Sequence, residues 1–314
     1  MKIKPGNLFK ACYGRFAIAA VNVWSMEQVL ALFSAAQKSH SPFILQTTPA
    51  ARNYATPAML LAMTGAAQKL YPEVIFSIHL DHGNEEHITD ALTSGGYDSV
   101  MIDASHDVFE KNIVRTGAVV QQAHVKGVEV EAELGVLAGV EDDITSLKSK
   151  YTRPEDVEEF VNRTQCDSLA IAVGTSHGAY KFSGGEGLQF GILEEIGRRL
   201  PGYPLVLHGG SGVDIREIEK INEAGGQLGK KAKGVPDDQL IRAIKLGICK
   251  VNIATDARLI WTRVHREFFR DSPEQIDQIV PGKTYMAAFE KFLSEKFEVL
   301  GSAGKDHLIK LQTK

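Results

Sequence analysis

Cysteine is scarce in this chain of 314 residues, with three in all, Cys12, Cys166 and Cys249, odd in number and far apart. That spacing argues against a disulfide framework and favours a reducing compartment. Long apolar runs are missing as well. No stretch approaches the ~20 apolar residues of a membrane span, and Met1-Lys2-Ile3-Lys4-Pro5 lacks the apolar segment of a secretory leader. A soluble, cytoplasmic protein with no membrane partner is expected. Nor is there an excess of positive charge, since 35 Lys and Arg stand against 39 Asp and Glu for a net charge of −4. Polyanion binding needs a basic surface that releases counterions, so no nucleic acid partner is expected, while local phosphate sites stay open.

What the chain does contain is enough apolar material, 44%, for a sizeable core. Short β-branched runs recur at Phe16 to Asn22, Phe43 to Thr48, Val74 to Asp81, Ser99 to Asp103, Val128 to Leu134, Ser168 to Gly174, Pro204 to His208 and Ile248 to Asn252. Amphipathic segments of helical period lie between most of them, such as Met26 to Gln37, Ala58 to Leu70 and Val108 to Val125. Strands alternating with helices imply a parallel sheet, and eight such units are the count that closes a (β/α)8 TIM barrel. A doubly wound open sheet would carry a glycine-rich turn after its first strand, and Ala20-Val21-Asn22-Val23-Trp24 is not one. One domain over residues 1–314 is expected. Thr284 to Leu300, helical in period with Met286, Phe289, Phe292 and Leu293 on its apolar side, adds C-terminal helix to the barrel.

Polar residues fall at informative places in these strands. Val128 to Leu134 alternates three glutamates, Glu129, Glu131 and Glu133, with apolar residues. On a surface strand this would mean one wet face; in a barrel the acidic face points inward, where carboxylates need cations or shared protons. Three strands end in histidine: Asp81-His82-Gly83, His177 after the sixth run, and His208 after the seventh. Barrel enzymes place catalytic groups at that end, and three imidazoles with Asp81, Asp103 and Glu133 nearby suit a catalytic metal with an open position. His79 lies on the face of Asp81 one layer deeper and reads as a buried supporting residue. His40, His87, His106, His124, His265 and His307 read as surface or capping residues. Glycine-rich stretches after His177 and His208, and Asn252-Ile253-Ala254-Thr255-Asp256 after the eighth run, are positioned to cradle phosphate with backbone N–H groups.

Five motifs, His79-Leu80-Asp81-His82-Gly83, Glu131-Ala132-Glu133-Leu134-Gly135, Gly174-Thr175-Ser176-His177-Gly178, Leu207-His208-Gly209-Gly210-Ser211-Gly212 and Asn252-Ile253-Ala254-Thr255-Asp256, closely resemble those of the class II, zinc-dependent ketose-bisphosphate aldolases. The resemblance covers nearly the whole chain. It implies a barrel enzyme that reversibly cleaves fructose 1,6-bisphosphate to dihydroxyacetone phosphate and glyceraldehyde 3-phosphate. It makes His82, His177 and His208 the ligands of one Zn2+, with Asp103 and Glu133 available when the ion shifts to an alternate position, and it allows a monovalent cation. Asp81 matches the acid/base for the C4 hydroxyl proton. Glu141, in the loop Gly139 to Asp143, matches a mobile proton carrier at C3, although Val140 stands where some members have a second acid. Gly178, Gly209, Ser211 and Thr255 match the first phosphate site, bordered by Lys181. Asn252 matches a contact to the dihydroxyacetone portion, Asn22 joins the substrate-binding set, and Arg258 and Thr48 match the distal phosphate. Family members are usually dimers or tetramers.

Ala254 sets the alternative reading. Fructose-specific members often carry aspartate there, tagatose-type members often alanine, so tagatose 1,6-bisphosphate or relaxed specificity stands beside fructose. Lys250 shares the inward face of the eighth run with Asn252, which raises a Schiff-base aldolase as a rival. A metal-dependent hydrolase and a non-catalytic regulatory or surface-binding protein on the same fold are the others.

Overall fold

All eight apolar runs become strands, and their order in space follows from the helices between them. The computed structural model describes residues 1–136, 138–141, 144–146, 150–177, 187–229 and 234–312, with backbone alone for 138–141, 144–146, 176–177 and 312. The strands are β1 (Ile18–Asn22), β2 (Phe43–Thr47), β3 (Phe76–Gly83), β4 (Ser99–Ile102), β5 (Glu129–Leu134), β6 (Ala138–Glu141), β7 (Ile144–Ser146), β8 (Ser168–Ile171), β9 (Ser176–His177), β10 (Leu205–Leu207) and β11 (Ile248–Ile253). The sequence β1-β2-β3-β4-β5-β8-β10-β11 closes on itself as a parallel barrel. A small sheet of order β7-β6-β9 stands apart from it. Here the expectation needs correction, because Gly139 to Glu141 is a strand paired antiparallel with Ile144 to Ser146 rather than a loop.

Local signals explain where the helices start. Pro5, Pro49, Pro57 and Pro154 sit in first turns, where a missing N–H costs nothing. Ser25 opens the helix Met26–Ser39 in a capping box with Gln28, and His40 ends it in the left-handed conformation. The inward face of that helix carries Phe33, which meets Phe43 of β2 edge-on at 5.1 Å and Phe76 of β3 at 4.9 Å. The C-terminal helix Ile279–Val299 buries Tyr285, Phe289, Leu293 and Phe297, spaced four apart, against the helices Met26–Ser39 and Thr255–Asp271. Met286 and Phe292, expected on that stripe, lie at its edge and are only partly buried.

The barrel interior is layered. Leu8, Phe9, Ala11 and Cys12 of the helix Pro5–Cys12 pack with Ile18, Ala20 and Ile44 and plug the N-terminal end of the barrel. Glu129, the lowest of the three glutamates, accepts the Gly6 N–H at 2.6 Å, so it satisfies an otherwise orphaned donor in the first turn of that helix. Its role is structural. Glu131 and Glu133, one and two layers higher, are buried as the alternation requires. No described helix is long and apolar enough to cross a membrane.

Phe33→Ala should cost about 3–5 kcal/mol, because it empties a fully buried aromatic site between a helix and two strands. Urea unfolding at equilibrium measures this, and a loss below about 1 kcal/mol would contradict the packing described.

Candidate metal and substrate site

A regular strand would point Asp81 into the barrel and His82 out of it. Instead the pairing of β3 with β4 loses register between Leu80 and Gly83, and His82 adopts φ 50°. Both side chains therefore face the interior. Asp81 is fully buried and meets three amides: Asn252 Nδ2 donates to its Oδ1 at 3.1 Å, while Asn22 Nδ2 and Gln46 Nε2 lie 3.4 Å from its Oδ2. Gln46 also donates to Asn22 Oδ1 at 2.6 Å, which orients both. The buried Gln46 Oε1 and Asn252 Oδ1 have no hydrogen-bond partner among the described residues. Buried amide oxygens of this kind are suited to donors from a polyhydroxyl ligand.

The two histidines converge from opposite sides. His82 Nδ1 lies 3.0 Å from Asp103 Oδ2, and Asp103 Oδ1 accepts from the Ser105 hydroxyl at 2.8 Å. His208 Nε2 lies 3.0 Å from Glu131 Oε1. Since each carboxylate takes the N–H of its imidazole, His82 Nε2 and His208 Nδ1 present lone pairs, 3.0 Å apart. Ligand nitrogens around tetrahedral zinc, at ~2.0–2.1 Å from the ion, stand ~3.3 Å from one another. The pair is thus near the spacing of two nitrogens that share one metal ion. Donor atoms of Asp81, His82 and His208 lie within 4.8 Å of one another, as do those of His82, Asp103 and Glu133.

Electrostatics follow from burial and pairing. Burial alone would raise Asp103 and Glu131. For Asp103 the hydrogen bond and charge of His82 outweigh it, and for Glu131 the Lys250 ammonium and His208 do, so both carboxyls sit well below their ordinary range. His208 is pushed down by burial despite its bond to Glu131, and His79 is pushed well down by burial and by Lys250. Both imidazoles are thereby kept neutral, the form that binds metals.

The remaining expected residues divide. His177 ends β9, and the backbone register sets Gly139 opposite it, so the strand carrying Glu141 runs beside the third histidine; their side chains, like Gly178 and Lys181, lie outside the described residues. Gly209 takes φ 63°, and a Cβ on Gly210 would come within 2.4 Å of Val251, so this loop crosses β11 where only glycine passes. Ser211 Oγ accepts from the N–H groups of Ala254 and Thr255 at 3.3 and 3.2 Å, which joins the loop to the start of the helix Thr255–Asp271. Thr48 caps the helix Pro49–Ala55 by accepting the Ala51 N–H. Thr48 and Arg258, whose guanidinium lies 5.5 Å above the Trp24 ring, share a cavity of about 970 Å³ with Trp24, Tyr54 and Trp261.

Three residues of this site, Gln46, Glu131 and Asp256, escaped the sequence reading as site members, and Lys250 entered it only as a rival nucleophile. Gln46 was signalled by being the lone polar residue on the inner face of β2, and Glu131 by its place in the acidic alternation. Asp256 fixes the glycine loop by accepting from Gly212 and Val213 at 2.9 and 2.8 Å. Lys250, 1% exposed, is bound to Glu131 at 2.7 Å, so it is no candidate for a Schiff-base nucleophile.

In the metal-free protein, stability should fall as pH drops below the ordinary histidine value of 6.5, because unfolded His79 and His208 take up protons that the folded protein refuses. The slope approaches ~1.4 kcal/mol per pH unit for each histidine. Protonation of Asp103 and Glu131 removes further stability below their ordinary values of 3.8 and 4.5. Urea midpoints of the chelated protein between pH 7.5 and 5.5 test the first part, and a flat profile would refute it.

Known proteins match this arrangement along almost the whole chain. The sequence profile of the family "Fructose-bisphosphate aldolase class-II" matches residues 6–227 and 230–305. A fructose-bisphosphate aldolase of Treponema pallidum is 40% identical over 326 residues, covering 96% of this chain and 97% of the relative. One from Giardia intestinalis is 38% identical over 92% of this chain and 90% of its own. The crystal structure of the YdjI aldolase from Escherichia coli K12 superposes with a TM-score of 0.76 at 28% identity, over 98% of this chain and 100% of that one. With its barrel, its paired histidines and these relatives, the chain belongs to the class II fructose-bisphosphate aldolase family.

Proposed function

We propose that the protein is a metal-dependent aldolase that reversibly cleaves fructose 1,6-bisphosphate to dihydroxyacetone phosphate and glyceraldehyde 3-phosphate. The observation that carries this reading is the pair of imidazole nitrogens facing each other at 3.0 Å beside a carboxylate held by three amides. His82, His208 and His177 would hold Zn2+, with Asp103 and Glu133 in reach of a shifted position. A bound zinc ion supplies Lewis-acid stabilisation of negative charge developing on substrate oxygens.

The chain's own residues do the rest. Asp81 removes the proton of the C4 hydroxyl as the C3–C4 bond breaks and returns it during condensation. Its amide neighbours hold the carboxylate in place and, through the free oxygens of Gln46 and Asn252, accept from substrate hydroxyls. Glu141 protonates C3 before release, a role supported by the strand pairing that keeps its hairpin beside His177. Gly209, Ser211 and Thr255, with Gly178 and Lys181, anchor one phosphate; Thr48 and Arg258 anchor the other at the wide cavity, so binding energy from groups that do not react aligns those that do. Asn22 steadies Asp81. A homodimer or homotetramer is part of the proposal, supported by exposed Met26, Tyr54, Trp261 and Ile279 around that cavity. So is a cytoplasmic location, supported by three free, buried cysteines.

Asp81→Ala should retain bound zinc and lose about 10²–10⁴-fold in kcat. Chelation should abolish wild-type cleavage and zinc should restore it. A folded, zinc-loaded variant of near-normal rate would remove Asp81 from the mechanism. Ala254 decides the sugar: it caps the helix Thr255–Asp271 with no polar side chain to meet the C4 hydroxyl. Ala254→Asp should shift the kcat/KM ratio of fructose to tagatose bisphosphate toward fructose by about tenfold, the worth of one ~1.4 kcal/mol hydrogen bond. An unmoved ratio would leave specificity to other residues.

A further inference from the structure

Beneath the paired histidines lies an ion pair that the aldol reaction does not itself require. Lys250 of β11 reaches across the barrel interior to Glu131 of β5, Nζ to Oε2 at 2.7 Å, and both are at most 2% exposed. A buried pair of this kind gains little stability over apolar residues of the same volume, so stability alone gives a weak reason for it. Its geometry offers a better one. The two carboxylate oxygens of Glu131 serve different neighbours: Oε2 is taken by Lys250, and Oε1 receives His208 Nε2 at 3.0 Å. His79 competes for the same carboxylate. Its Nε2 lies 3.6 Å from Glu131 Oε2 and has no hydrogen-bond partner among the described residues, while its Nδ1 is bonded to Ser99 at 2.7 Å.

We infer that Lys250 is a positioning residue for the metal ion: it pins Glu131 by one oxygen so that the other holds His208 with Nε2 protonated and Nδ1 directed at His82. Without the ammonium, Glu131 turns toward His79, the bond to His208 loosens, and both tautomers of His208 become populated. Only one of them presents Nδ1 to the ion. The inference rests on the metal-site reading and deepens it by placing a determinant of metal affinity three contacts away from the ion.

The test is zinc affinity, measured without substrate by titrating the metal-free protein against a chromophoric chelator. Lys250→Met, close in volume, should bind zinc about 10-fold to 100-fold more weakly, the usual effect of disturbing a ligand's hydrogen-bond partner. Imidazole nitrogen NMR of the metal-free variant should show His208 as a mixture of tautomers where the wild type shows the Nε2-protonated form alone. A folded Lys250→Met protein with wild-type zinc affinity and an unchanged His208 tautomer overturns the inference. Should that variant not fold, Lys250→Gln, which keeps a hydrogen-bond donor but not the charge, takes its place with Glu131 intact: weakened zinc binding with mixed His208 tautomers supports the inference, and wild-type affinity overturns it. Failure of the wild type to take up zinc would instead overturn the metal reading beneath it, a separate outcome from equal uptake by both proteins.

Discussion

A β-strand turns successive side chains to opposite faces, so two adjacent polar residues can enter a barrel together only if the backbone twists between them. His82 supplies that twist with φ 50°, a conformation that costs a residue with a Cβ ~1–2 kcal/mol. The cost is offset locally by the Asp103 carboxylate on its ring and by the Ser105 bonds that hold Asp103. Nearly everything else in the site is arranged around this departure. If β3 ended regularly, Asp81 would still meet its amides, but His82 would face the outer helices and its Nε2 would no longer stand beside His208 Nδ1.

The polar interior is tolerated because it is graded. At the base, apolar side chains of the first helix fill the barrel; above them Lys250, Glu131, His79 and Ser99 neutralise and bond one another; at the mouth Asn22, Gln46, Asp81 and Asn252 leave two oxygens unused. The two amide oxygens left over at the mouth lie where a ligand arrives, while Ser77 Oγ and His79 Nε2 deeper in the barrel also lack partners among the described residues; each such buried atom costs ~1–3 kcal/mol.

The barrel was legible from the chain because apolar runs and helical periods repeat eight times, and all eight runs are strands. Asp81, His82 and His208 were legible because they end such runs. What stayed hidden depends on geometry that no periodicity carries. Glu129 and Glu131 are indistinguishable in the alternation, yet one caps a helix and the other orients a histidine, a difference set by depth in the barrel. Gln46 and Lys250 sit in mostly apolar strands, and their importance comes from partners 35 and 119 residues away. Gly139 to Glu141 reads as loop because its glycine and acid are poor strand formers, while its pairing with β7 and β9 overrides propensity.

The plug at the barrel's base has a consequence for traffic. With Leu8 and Phe9 sealing the N-terminal end, the approach to the polar interior lies at the C-terminal ends of the strands. His82 and His208 are both buried there, so an ion held by them in the proposed way would be covered by a sugar bound above it.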